Sequence, residues 1–404
     1  MAKLISADLT NNNLCALCYT TTDGQMLSIK PDSFDAKIVA HTYTDIGRII
    51  FGTPITKIGD GAFRGCRHLA NVTIPDSVTT IGESAFIYCR NLTSVTVGDS
   101  VTIIGNSAFQ SCSRLKEFKG KFAANNGRCL IIDGVLNSFA VGCGVTEYTI
   151  PDSVTTIGEG AFYSCDSLTR VIIPNSVTTI EYIAFGGCHS LYSVIIPNSV
   201  TTIGYSAFGG CHNLTSITIP DSVTTIGGHA FAYCHALTSV TIPNRVTTIG
   251  SCAFHYCHSL TSVIIPNSVT TIGYSAFAGC TNLTSVTIPD SVTTIGNSAF
   301  AGCTSLTSVT IPDSVTTIGD SAFEGCKSLS HLTIGKNVKE IGCQAFIECS
   351  NIYMIICRAT TPPKLDWFLS DSTPTSFEKL ETLVIPTGCE EAYANSDWGY
   401  YLKE

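Results

Sequence analysis

Apolar residues return along this chain every 23 positions. A representative stretch has Leu283, Val286, Ile288, Val292, Ile295, Ala299, Phe300 and Cys303 at its apolar positions, and Leu306 starts the next copy; Thr, Ser, Asn, Asp and Gly fill most of the rest. The segment Ala-Phe-x-x-Cys marks the register, with Phe at 63, 86, 109, 162, 185, 208, 231, 254, 277, 300, 323 and 346. The step from 109 to 162 is two periods plus seven residues, so one coil there is enlarged, and the chain holds about thirteen coils. A fixed period of ~20–50 residues identifies a stacked repeat array.

Within one unit, Leu283, Val286 and Ile288 alternate as on a short strand with one face inward. Pro289 has no N–H for a ladder and ends that strand. Val292 and Ile295 predict a second extended piece, and Gly296 a bend. Ala299, Phe300 and Cys303 lie three to four residues apart, which predicts one helical turn with its apolar side inward. A single coil cannot bury these side chains, whereas stacked coils bury them in continuous columns. The L-x-x-V-x-I spacing is that of a leucine-rich repeat. The expected fold is therefore a leucine-rich repeat solenoid, mainly β with short helical turns. It would comprise a β-rich N-terminal cap over residues 1–45, coils over 46–357 with the enlarged one at about 116–145, and a C-terminal cap over 358–404. Exposed array ends need such caps, and Trp367, Phe368, Trp398 and Tyr400 are available to cover the last apolar column.

The repeat resembles that of the BspA-like leucine-rich repeat family, over roughly residues 46–357. The flanks are also similar to those of gut-bacterial members: Tyr19 to Gly24 before the array, and Ala359 to Pro363, Val384 to Pro386 and Glu391 to Tyr393 after it. The resemblance implies a bacterial or mucosal protein at the cell surface or secreted, with a role in adhesion and binding of a protein or glycoprotein ligand. The family motif carries no catalytic residues. The first ten residues contain one Lys and no apolar run of signal-peptide length before Asn11, so a cytoplasmic chain, or one whose signal has been removed, stands beside the surface location.

Composition narrows the function. Charged residues are 13% of the chain, and 31 acidic against 22 basic residues give a net charge of −9. Lys and Arg never cluster, which argues against a nucleic-acid surface and an anionic membrane surface. No run approaches the ~18 apolar residues of a spanning helix, so no membrane insertion is expected. Ser and Thr positions are copied from coil to coil, whereas catalysis needs one site set apart by a base and an orienting group. Phosphate loops, paired carboxylates and cofactor fingerprints are missing. The expectation is a protein without enzymatic activity, cofactor or metal.

Of the 20 cysteines, twelve occupy the Ala-Phe-x-x-Cys column. Neighbours in a column have parallel side chains, which favours buried free thiols over a disulfide ladder. Cys15 and Cys18 form a lone CxxC without a second half-site, which favours packing over zinc or redox chemistry; Cys129 and Cys143 fall in the enlarged coil. His189, His212, His235 and His258 each follow a column Cys and recur every 23 residues, with His229 and His255 in the same coils. Such a ladder suggests a metal-binding or pH-responsive ridge; the alternative is a solvated position copied by duplication, supported by the lack of a regularly placed carboxylate. Tyr163, Tyr182, Tyr205, Tyr233, Tyr256 and Tyr274 vary around the same turn, either as a binding surface or as shields over the column beneath. The strand's outward positions, such as Thr284, Ser285 and Thr287, are mostly hydroxylic, with exceptions at Lys116, Glu117, Lys119, Arg170, Tyr192, His331, Tyr353 and Met354. The reading that follows is a module that binds another macromolecule, with Tyr182, Tyr205, Tyr233, Tyr256, Tyr274, His189, His212, His235 and His258 as candidate contacts. The competing reading is a structural rod that self-associates or decorates a larger assembly.

Overall fold

A computed structural model describes residues 15–365 and 377–402 of the chain, in two compact units, Met1–Leu168 and Thr169–Glu404. Trp367 and Phe368 lie outside the described residues. Both units are built from the 23-residue coil, and the coil that begins at Leu283 shows why the chain winds as it does. Leu283, Val286 and Ile288 are buried, and Ser285–Val286 pairs in parallel with Ser262–Ile264 on one side and Ser308–Thr310 on the other. Pro289 opens a tight turn closed by the Val292 N–H on its carbonyl at 3.0 Å, a position where a fixed φ is an advantage. Thr294–Ile295 then joins a second parallel ladder with Thr271–Ile272 and Thr317–Ile318.

The third side is not the helical turn that the spacing predicts. The N–H groups of Ala299, Ala301 and Cys303 close three-residue turns onto Gly296, Ser298 and Phe300, while those of Ser298, Phe300 and Gly302 donate to Asp320, Ala322 and Glu324 of the next coil at 2.6–2.7 Å. Alternate amides are thus taken by the neighbouring coil, which leaves none for an i→i−4 series. Ser298 and Gly302 adopt left-handed φ of 56° and 70° to allow it. Among the described residues the α-helix Glu390–Ala394 is the only one. The inward placement holds all the same: Ala299, Phe300 and Cys303 are fully buried. Gly296 serves close approach rather than a bend, because a Cβ there would meet Gly273 C and Tyr274 N at 2.8 Å.

In the second unit the rings from Phe185 to Phe346 stack at 5.1–5.5 Å with interplanar angles of 2–10°. Beside them the column cysteines from Cys211 to Cys349 donate their thiols to the carbonyl of the preceding coil's Phe, as Cys280 does to Phe254 and Cys303 to Phe277, both at 3.3 Å. Phe377 continues the stack after Phe346, and Trp398, fully buried, packs on Phe377 and donates its indole N–H to Pro363 at 2.8 Å. Tyr400 takes no part in this cover, being 67% exposed.

The first unit begins with an antiparallel sheet of β1 (Ala16–Thr21), β2 (Ile38–Tyr43) and β3 (Gly47–Phe51), in the order β2-β3-β1, and β1 lies antiparallel against the coil strand Leu69–Thr73. Cys15 and Cys18 are three residues apart along this extended segment, beyond the ~7 Å reach of a disulfide, and both are free. The enlarged coil carries an inserted hairpin, Cys129–Ile132 with Val135–Phe139. Its two-residue turn has Asp133 and Gly134 at φ of 49° and 77°, the geometry that Asp-Gly favours. Cys129 is held by the Tyr148 hydroxyl at 3.0 Å, and neither it nor Cys143 is in a disulfide.

Candidate binding surface

The candidate tyrosines occupy two columns, not one. Tyr182, Tyr205 and Tyr274 stand just before the left-handed residue of the turn, and Tyr182 and Tyr205 stack at 5.7 Å. Tyr205 also meets His229 at 5.0 Å. Tyr274 is separated from them by two coils whose equivalent residues are Gly228 and Ser251, and it makes no ring contact among the described residues. Tyr233 and Tyr256 stand just before the column cysteine and stack on each other at 5.4 Å. All five are 41–56% exposed. The fold therefore brings together Tyr233 and Tyr256 but leaves Tyr274 alone.

The four histidines form one stack. Ring centroids are 4.6 Å apart for His189 and His212, and 4.7 Å for both His212 with His235 and His235 with His258. Tyr233 packs edge-on to His235, and Tyr256 to His258. His255, from the same turn, lies 4.2 Å from Tyr256. Successive rings make interplanar angles of 37°, 24° and 6° along the ladder, and no group of three His, Cys, Asp or Glu with metal-holding geometry occurs among the described residues. Burial, and then the neighbouring imidazoles, lowers the pKa of His212 and His258; burial alone lowers that of His229, and burial with His229 that of His255. The surface is thus aromatic and held by ring contacts.

Tyr233 and Tyr256 have a backbone feature that the sequence does not announce. Their φ values are 61° and 55°, while sibling coils place Gly65, Gly187, Gly210, Gly279, Gly302 and Gly325 at the same point, also left-handed, as are Tyr88, Ser111, Ser164 and Glu348 there. A bulky residue with positive φ is an outlier that costs ~1–3 kcal/mol. The chain bears that cost where the aromatic pair is displayed.

A further group was passed over because Ile reads as core in any strand pattern. Ile172, Ile195 and Ile264 occupy the outward position that is Thr in most coils and are 40%, 53% and 63% exposed; Tyr192 is 46% exposed. Comparing that one position coil by coil would have found them.

Stacked coils with one parallel strand ladder of L-x-x-V-x-I residues define a leucine-rich repeat protein. The family model of the BspA type leucine rich repeat region matches residues 37–125, 136–261 and 247–362, and the chain belongs to that family. Among solved structures, it is similar to a leucine-rich repeat protein of Bacteroides ovatus, with 29% identity, TM-score 0.55, and coverage of 86% of this chain and 93% of that one. It is also similar to a leucine rich cell surface protein of Faecalibacterium prausnitzii, with 30% identity, TM-score 0.50, and coverage of 81% and 86%. None of the curated proteins matches it. No helix among the described residues is long and apolar enough to cross a membrane.

Proposed function

We propose that this chain is a non-enzymatic binding module, displayed at a cell surface, whose partner is a protein or glycoprotein and whose contact region in the second unit is the aromatic ridge of Tyr233, Tyr256, His189, His212, His235 and His258, with Tyr182 and Tyr205 beside it. The observation that carries this reading is the exposed stack of Tyr233 on Tyr256, edge-on to His235 and His258. Six sibling coils fill the same left-handed point with Gly, so the coils stack without an aromatic ring there. Tyr and His also present amphipathic area at low entropy cost, as binding surfaces do. The cell-surface description of the Faecalibacterium protein supports the location.

The test is a screen of purified host extracellular proteins against the full chain, followed by variants of the binder found. Tyr233→Gly with Tyr256→Gly should weaken binding by at least about tenfold, since truncating an aromatic anchor typically costs ~2 kcal/mol or more. Thr284→Ala with Thr287→Ala should change it little. The same Tyr→Gly pair should leave the melting temperature equal or higher. A fall in melting temperature would mean that the rings shield the column, and stronger losses from the Thr pair would move the contact to the strand face.

A further inference from the structure

The strand face of the second unit departs from the hydroxylic pattern in its last coils, at His331, Tyr353, Met354 and Ile356, and in its first two, where four residues do so and one of them is an arginine. Arg170–Ile172 pairs in parallel with Ser193–Ile195, so Arg170 faces Ser193 and Ile172 faces Ile195, with Tyr192 immediately before the second strand. In the following coils the position of Arg170 is Ser216 or Ser239, that of Tyr192 is Thr215 or Thr238, and that of the two isoleucines is Thr218 or Thr241. Thr and Ile are both β-branched and suit a strand alike. Exchanging Thr for Ile on a solvent face therefore adds apolar surface with no gain in folding.

No hydrogen bond or ion pair of the Arg170 side chain occurs among the described residues, and its Nε is buried without an acceptor. A buried donor left unmade is costly, and a guanidinium is built for a bidentate carboxylate. Arg and Tyr are also the residues most enriched where interfaces concentrate their energy. We infer that Arg170, Ile172, Tyr192 and Ile195 form a second contact site, separate from the aromatic ridge, for an extended protein segment in which a carboxylate is flanked by apolar side chains. The carboxylate meets Arg170, and the apolar side chains lie on the in-register isoleucines and the Tyr192 ring.

The probe is a set of fluorescently labelled octapeptides with one Glu between two Leu in a Thr/Ser background, and the same set with Gln for Glu, titrated against the full chain by anisotropy. The Glu set should bind about tenfold or more tighter than the Gln set, as expected for a charge-assisted pair at a desolvated Arg. Arg170→Ser should erase that difference, and Ile172→Thr with Ile195→Thr should weaken both sets. Each substitution installs the residue that sibling coils carry, so the fold accommodates it. Tyr233→Gly with Tyr256→Gly should leave peptide binding unchanged, which separates this site from the ridge. Equal binding of the two sets, a difference that survives Arg170→Ser, or no binding at all would overturn the inference. Failure of the peptides together with dimerisation abolished by the Ile→Thr pair would overturn it in favour of a second copy of the chain.

Discussion

Burial is the first cause of the lowered pKa of His212 and His258, and stacking at 4.6–4.7 Å adds repulsion from the neighbouring imidazoles. His212, His229, His255 and His258 all have a pKa below the ordinary 6.5, with burial the leading cause. The folded chain then binds fewer protons than the unfolded chain as pH falls past 6.5, so stability rises with pH through that window. Their contribution is complete above about 6.5 and declines as pH falls through and below it. The carboxylates with a lowered pKa, such as Asp23, Asp35 and Asp313, follow the same sign in a window near and below 3.8, well separated from this one. Urea midpoints should therefore fall between pH 7 and pH 5.5, and His212→Ser with His258→Ser should flatten that decline. An unchanged slope in the double variant would show that the stack has no part in it. The ladder itself was legible in the 23-residue spacing. The stacking was not, because the distance between neighbouring rings depends on how each side chain leaves the turn.

The coil's third side shows what sequence spacing can and cannot distinguish at the scale of an element. Ala299, Phe300 and Cys303 point inward in a helical turn and in the observed series of tight turns, so the i, i+1, i+4 pattern fits both. The alternation of Gly and Ser with left-handed φ, as at Ser275, Ser298, Gly279 and Gly302, decides for turns, but Ser reads as an ordinary polar residue in sequence. The hairpin of the enlarged coil is the reverse case: Asp133-Gly134 between two apolar runs is a direct signal for a two-residue turn, and it stands outside the 23-residue period. Gly positions within the coil separate into two kinds that make different predictions. At Gly296 a Cβ would lie 2.8 Å from backbone atoms of the preceding coil, whereas at Gly302 the nearest atoms are 3.7 Å away but φ is +70°. Gly296→Ala forces the two coils apart and should cost ~1–3 kcal/mol, as overpacking does. Gly302→Ala meets only the left-handed backbone penalty and should cost ~1 kcal/mol. Urea unfolding of the two variants measures the order, and a milder effect at Gly296 would show that the coils are not in the close contact described. Phe254→Ala, which interrupts the ring stack, should exceed both at ~3–5 kcal/mol.

At the scale of the whole molecule, the repeat was readable because every coil places the same apolar set in the same columns, and identity of columns requires only the period. Two features escaped that reading for the same reason. Ile172 and Ile195 are exceptions to the repeat whose apolar type matches that of the inward positions, so only a comparison of the outward position from coil to coil sets them apart. The column cysteines were legible as buried groups, but their thiol-to-carbonyl bonds depend on the rise from one coil to the next. Burial in those columns sets the chemistry of the column thiols. All the described cysteines are free, and most are buried. Burial pushes the thiols of Cys112, Cys257 and Cys303 up to about 12 and that of Cys66 to about 11, while Cys211, Cys234 and Cys280 are raised further by burial and by the neighbouring column thiols. The thiolate is the reactive form, so native protein at pH 8 should expose few groups to a disulfide reagent, drawn from the half-buried Cys15, Cys18, Cys143, Cys343 and Cys389. Denaturant without reductant should raise the count towards 20 in a single step for each compact unit, because the columns that hide the thiols are the columns that hold the coils together. If denaturant alone released almost none, the column would be cross-linked and the thiol-to-carbonyl arrangement wrong. If native protein reacted nearly in full, the coils would open on the timescale of the assay, and the stacked Phe and Cys columns could not be the source of the chain's stability.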